Sequence, residues 1–254
     1  MIRSNIAAPE VPLQLPLAYF FGVVVLLGAV LFLVPISKLR IFLRIMFAFL
    51  YCWGLFILLG LSLPLPAASL IAIAAGLVWF FRPIVWLHNL LMIFAIVSVG
   101  LVFGLILPPL SVIILLLVMS IYDLVAVRLG YMLWLTKKLS ESDNLPAFII
   151  PKKLSFWNLN LKAAGFRKLI EGTAAEREFS ILGGGDIGFP LILTVSVFMV
   201  YGFSRALIVA VFSLVGLIAA YWIQLRFLKG KPMPALPPIF LTSLVGFLVV
   251  RFVI

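Results

Sequence analysis

The chain reads as long uncharged runs separated by short clusters of charge, proline and glycine. Val11 to Ser37 carries no charge and is followed by Lys38, Arg40 and Arg44. Ile45 to Phe81 is uncharged and is divided by Leu63-Pro64-Leu65-Pro66; Pro83 to Tyr122 is uncharged and is divided by Pro108-Pro109. Proline has no N–H to donate and restrains the residue before it, so each proline pair marks a helix boundary. A polar stretch over 136–180 is too charged to cross a membrane. Three more apolar runs follow, separated by Gly202 with Arg205 and by Lys229-Gly230-Lys231-Pro232. A helix of about 20 apolar residues crosses a hydrocarbon core of about 30 Å. The pattern therefore predicts spans near 17–36, 42–62, 66–81, 84–107, 110–134, 183–202, 206–226 and 234–253. Phe148-Ile149-Ile150 predicts a short strand inside the polar stretch.

The expected fold class is thus an all-α polytopic membrane protein of about eight spans. It divides into an N-terminal bundle (1–135), a loop (136–182) and a C-terminal three-helix part (183–254). The first apolar run is too long for the core of a cleaved signal peptide. No convincing internal repeat relates the halves, which weighs against an inverted-repeat transporter.

Composition agrees. Hydrophobic residues make up 65% of the chain, against about 45–50% in soluble domains. The net charge of +11 does not point to nucleic acid, because the basic residues fall between spans. Placing 136–182 in the cytoplasm puts every Lys and Arg except Arg3, Arg205 and Arg251 on that side. This satisfies the positive-inside rule and makes both termini extracytoplasmic in a multi-pass cell-membrane protein. Cys52 and His88 are the sole residues of their types, which excludes an intrachain disulfide and a cysteine or histidine metal cluster. No metal or cofactor is expected. Cys52 reads as a small core residue, His88 as a packed or interfacial polar residue, and Glu171, Glu176 and Glu178 as solvated loop charges.

Of the 8 acidic residues, Asp123 and Asp186 are the two bordered by apolar sequence. An Asp at a helix centre in lipid costs roughly 2.5–3.5 kcal/mol on insertion scales, so each should face protein or water. Asp123 lies about 13 residues, or roughly 20 Å at 1.5 Å per residue, beyond the turn at Pro109. Asp186 falls within the first turn or two of its span. The two acids therefore sit in the inner half of the membrane, on helices running in opposite directions.

Gly183-Gly184-Gly185 precedes Asp186 and lets the backbone bend or approach another chain closely. Pro190 cannot donate to the carbonyl of Asp186, so the backbone is expected to open where the carboxyl sits. Read alone, the stretch is equally a flexible loop followed by a helix capped by Asp. Pro234-Ala235-Leu236-Pro237 opens the last span on the same membrane side. Irregular backbone at that depth is tolerated where it lines a cavity, and it can pair with an extended peptide. By itself it reads first as a proline-marked helix start.

Two carboxyls meeting in a low-dielectric site do not both ionise easily; one can act as general base and the other as acid. The acids alone leave three readings open: separate structural aspartates, the carboxyl pair of an ion channel or proton-coupled transporter, and an aspartic protease. A scaffold or chaperone of membrane proteins is a further class.

Tyr122-Asp123, Gly183-Gly184-Gly185-Asp186 and Pro234-Ala235-Leu236, in this order, match the YD, GxGD and PAL motifs. The chain over roughly 17–254 thereby resembles the presenilin and signal peptide peptidase family of intramembrane aspartyl proteases, most of all its compact microbial members. Trp86-Leu87-His88-Asn89 and Pro151-Lys152-Lys153 add a weaker likeness. The resemblance implies that Asp123 and Asp186 are the catalytic pair and that Gly183 and Gly185 shape the catalytic loop. It implies that Pro234, Ala235 and Leu236 support the active site, and that Tyr122 is an aromatic neighbour or a packing residue. Gly184, Pro190 and Pro237 belong to the same stretches. The implied substrates are transmembrane segments or signal peptides in a lipid bilayer. The family pattern has nine spans with five before the YD helix; here four are predicted, the family's first being the one without a counterpart.

Overall fold

The computed structural model describes residues 22–23, 26, 28–30, 33–131, 134–135, 138–139, 145–161, 178–227 and 233–253. Seven helices lie within them: α1 (Ile36–Gly60), α2 (Leu65–Phe81), α3 (Val85–Ile106), α4 (Pro109–Arg128), α5 (Gly184–Tyr201), α6 (Phe203–Arg226) and α7 (Leu236–Phe252). Half of the expected first span, 17–36, falls outside the described residues. α1, α3, α4, α5 and α6 are each long and apolar enough to cross a membrane, while α2 and α7 are shorter, at 17 residues. A helix of that length still reaches about 25 Å at 1.5 Å per residue.

Prolines set the boundaries as expected. Pro64 caps α2, Pro108 caps α4, and α4 and α7 carry proline within their first two positions. There the missing N–H would have had no helical partner, so proline costs nothing. Gly202 joins α5 to α6 at φ 90° and ψ 176°, a conformation that strongly favours glycine.

Two buried clusters hold the bundle together. One joins α1, α2 and α3 through residues such as Tyr51, Trp79 and Leu91; the other joins α4, α5, α6 and α7 through Leu116, Leu193, Val209 and Phe247. Phe49, Leu70, Ile218 and Trp222 point outward, as lipid-facing side chains do in a membrane. Lipid offers apolar side chains the same environment as a core, so helix contact rests on close packing and hydrogen bonds. At Gly54 a Cβ would stand 2.6 Å from Ala95 Cα, and at Gly216 it would stand 2.7 Å from Ile239 Cα. Ser98 donates to Gly54 O at 2.6 Å, tying α3 to α1, and Ser213 and Ser243 share a hydrogen bond of 2.7 Å between α6 and α7. Such bonds contribute about 0.6 kcal/mol each on average.

The polar stretch contains one small sheet. β1 (Ala147–Pro151) includes the expected strand residues and pairs antiparallel with β2 (Phe179–Gly183), with Ala147 opposite Gly183 and Pro151 opposite Phe179. The N–H of Gly184 donates to Pro146 O at 3.1 Å, and that of Lys152 to Glu178 O at 2.9 Å. Hydrogen-bonded pairs alternate along an antiparallel ladder, so the even-numbered residues of each strand bond across and the odd-numbered ones turn their backbone groups away. A 3-10 turn (Leu154–Asn158) then leads back to the start of α3, where Leu161 N–H donates to Pro83 O at 2.8 Å. Glu178 meets Lys153 at 3.8 Å with both exposed, as expected of a solvated charge; Glu171 and Glu176 lie outside the described residues.

Candidate active site

The site forms where α4, the β2–α5 junction and the start of α7 converge. Asp123 stands five residues before the end of α4 and is buried, with 5% of its surface exposed. Leu236 is the first residue of α7, and its N–H donates to Asp123 Oδ2 at 3.1 Å. The first N–H groups of a helix have no partner within it and carry the positive end of its dipole. Asp123 supplies that partner from another helix, and the Ala235 backbone lies beside the same carboxylate. Pro234 and Ala235 precede the helix as irregular backbone, while Pro237 falls within its first turn.

Asp186 sits in the first turn of α5, half-buried, where a helix N-terminus favours a carboxylate. It lies close enough to Asp123 for the two charges to interact. β2 runs into α5 without a loop: Gly183 is both the last strand residue and the helix cap. The helix start that the glycines suggest in isolation is present, but the cap is Gly183 rather than Asp186. What precedes it is a paired strand rather than a flexible loop, because strand pairing with β1 extends to Gly183.

The three glycines have different surroundings. A Cβ at Gly183 would come 3.0 Å from Asp186 Oδ2. At Gly184 it would meet Met92 Cε at 2.6 Å and Pro146 O at 3.2 Å. At Gly185 it would touch Phe189 at an ordinary 3.4 Å. Gly183 and Gly184 are therefore crowded, and Gly185 is exposed.

The backbone opening expected at Pro190 is not a break. α5 continues unbroken through Pro190, which is buried, and Thr194 Oγ1 donates back to Pro190 O at 3.0 Å. The lost hydrogen bond is one among many in an 18-residue helix, and Ile192, Leu193 and Val197 beyond the proline are packed in the buried cluster. Tyr122 is 39% exposed beside buried Asp123.

An apolar cavity of about 270 Å³ opens beside the first turn of α5, lined by Gly184, Gly185, Gly188 and Phe189 and by Met92 and Ile96 of α3. Ser111 Oγ also faces it and has no hydrogen-bond partner among the described residues. Among the described residues, no cluster of His, Cys, Asp or Glu is suited to hold a metal.

At the start of α3, His88 is the packed polar residue expected, and the role of its neighbour Asn89 was missed in the sequence. Asn89 donates to Ile149 O at 2.7 Å and accepts from Ile149 N–H at 2.9 Å. His88 is buried and reaches Ala147 O through Nε2 at 3.0 Å. The available signal was two adjacent polar side chains inside a long uncharged run.

The fold defines a multi-pass helical membrane protein, with Asp123 and Asp186 near the junction of α4, α5 and α7. The family model described as signal-peptide peptidase, presenilin aspartyl protease matches residues 3–254. The chain belongs to that family, which is one of intramembrane aspartyl proteases. Among solved structures it is similar to a presenilin family intramembrane aspartate protease, with 20% identity and a TM-score of 0.63 over 99% of this chain and 90% of that one. No curated protein matches the chain.

Proposed function

We propose that this protein hydrolyses peptide bonds within transmembrane segments of other membrane proteins or signal peptides, with Asp123 and Asp186 as the acid–base pair. The observation that carries this reading is the placement of the two carboxyls at the starts of α5 and α7, Asp186 in the first turn of α5 and Asp123 accepting the Leu236 N–H of α7.

One carboxylate takes a proton from a water molecule lying between the pair. The water oxygen attacks the scissile carbonyl carbon while the other carboxylic acid gives its proton to the carbonyl oxygen. Collapse of the tetrahedral species breaks the C–N bond: the departing nitrogen receives a proton from the carboxyl that took one, and a hydroxyl of the tetrahedral carbon returns a proton to the other carboxylate as its C=O re-forms. The Leu236 hydrogen bond orients the Asp123 carboxylate throughout.

A helical substrate has its peptide bonds shielded, so it must unwind locally. The outward backbone groups of Phe179 and Ile181 have no partner among the described residues, while the Gly183 C=O opens the hydrogen-bond ladder of α5 and leaves only its N–H outward. They offer an edge on which an extended peptide adds as a further strand, ending beside Asp186. The apolar cavity next to Gly185 suits a substrate side chain. The distribution of basic residues orients the 136–182 loop toward the cytoplasm.

The test uses the purified chain in lipid with a transmembrane peptide, beside Asp123→Asn and Asp186→Asn. Each variant should lose cleavage by at least about 1000-fold, equivalent to about 4 kcal/mol of barrier. Products persisting at the wild-type rate in either variant would sink the assignment.

A further inference from the structure

β1 has two edges. Its even-numbered residues face β2; its odd-numbered residues face α3, and there the backbone groups meet side chains instead of a third strand. Asn89 takes both the N–H and the C=O of Ile149, as a neighbouring strand would. A side-chain amide can do this because it carries a donor and an acceptor at once.

His88 takes Ala147 O, one step along the same edge. Its partners assign its tautomer. Trp79 Nε1 can only donate, and it reaches His88 Nδ1 at 3.3 Å, so Nδ1 carries the lone pair. A carbonyl oxygen can only accept, so Nε2 carries the hydrogen. The ring is therefore neutral, with Tyr51 OH a second partner of Nδ1 at 3.2 Å. Trp79 packs edge-on against Tyr51 at 4.8 Å between ring centroids, which holds the assembly between α1, α2 and α3.

We propose that His88 and Asn89 are positioning residues for the proteolytic reaction: they close the inner edge of β1 and hold the sheet in register, so that substrate backbone is taken up on the outer edge of β2 beside Asp186. This rests on the protease reading above. A slip by one residue would turn the outward groups of Phe179 and Ile181 to the wrong side and shift the peptide bond presented to the aspartates.

The experiment has two arms. In the first, Asn89→Ala, Asn89→Asp and His88→Ala are assayed in lipid with a transmembrane peptide, and the cut bonds are identified by mass spectrometry. Asn89→Asp keeps the shape and the acceptor but loses the donor, so it serves if the alanine variants do not fold. The expected result is a 10-fold or greater fall in kcat, with cleavage spread to neighbouring bonds, and partial return of the wild-type cut for His88→Gln, which retains a donor. Unchanged cut sites, even at a reduced rate, would mean a merely structural role and overturn the proposal. In the second arm, Ile149→Cys and Ile181→Cys, opposite each other in the sheet, are oxidised in a Cys52→Ser background. Cross-linking should be efficient with Asn89 present and fall several-fold in Asn89→Asp; equal yields would overturn the proposal. If Asp186→Ala leaves cleavage intact, the protease reading fails and the cross-link alone decides the role of Asn89.

Discussion

Asp123 and Gly183 show how much a single position carries. Asp123 was legible because an acid in an apolar run must find a partner; that the partner is a helix N-terminus more than a hundred residues later was not. Gly183 stands where a Cβ would press on Asp186 Oδ2 at 3.0 Å. Gly183→Ala should therefore displace the carboxylate and lower kcat by about 10-fold, or about 1.4 kcal/mol, with little change in melting temperature. Gly185→Ala meets only ordinary contact, so it should fold normally and act on KM for substrates filling the adjacent cavity. Steady-state kinetics on both variants separates the two effects; equal loss of kcat in both would contradict the distinction.

At the scale of elements, β2 and the helix interfaces make separate predictions. The N–H of Ile181 points away from β1, whereas that of Leu182 bonds Phe148 across the ladder. Ile181→Pro should abolish cleavage while leaving thermal unfolding nearly unchanged, since proline is tolerated on an outer edge. Leu182→Pro should disrupt the sheet itself. Hydrogen exchange at Phe148 and Ile150 reads the difference. Gly54→Leu drives a side chain into the α3 backbone at Ala95 and should cost at least about 1–3 kcal/mol, as overpacking does. A wild-type unfolding midpoint in that variant would refute the close contact. Proline pairs made α2, α4 and α7 readable in advance, because a residue that cannot donate terminates helices wherever it stands. The strand β2 was not readable, since its five residues at the end of a charged stretch are too few to show a clear alternation and its partner is distant in sequence.

For the whole molecule, the basic residues predict one orientation. A cysteine at Ala164, in the 136–182 loop, should react with a membrane-impermeant maleimide only in inverted vesicles. One at Phe203, in the α5–α6 turn, should react only in right-side-out vesicles, each in a Cys52→Ser background. The opposite pattern would reverse the orientation and with it the side from which substrates approach the aspartates.

Hydrophobic run length, proline placement and the scarcity of acids determined by themselves that this is a polytopic helical protein with two aspartates to explain. Each is a local property, set by the cost of burying charge or of exposing a backbone group in lipid. Tertiary structure alone decided the rest: that Leu236 N–H reaches Asp123, that β2 runs into Asp186, that Asn89 completes the edge of β1, and that Pro190 leaves its helix intact. These depend on hydrogen bonds and close contacts between segments far apart in the chain, where a donor is satisfied by whichever acceptor the packing brings to it.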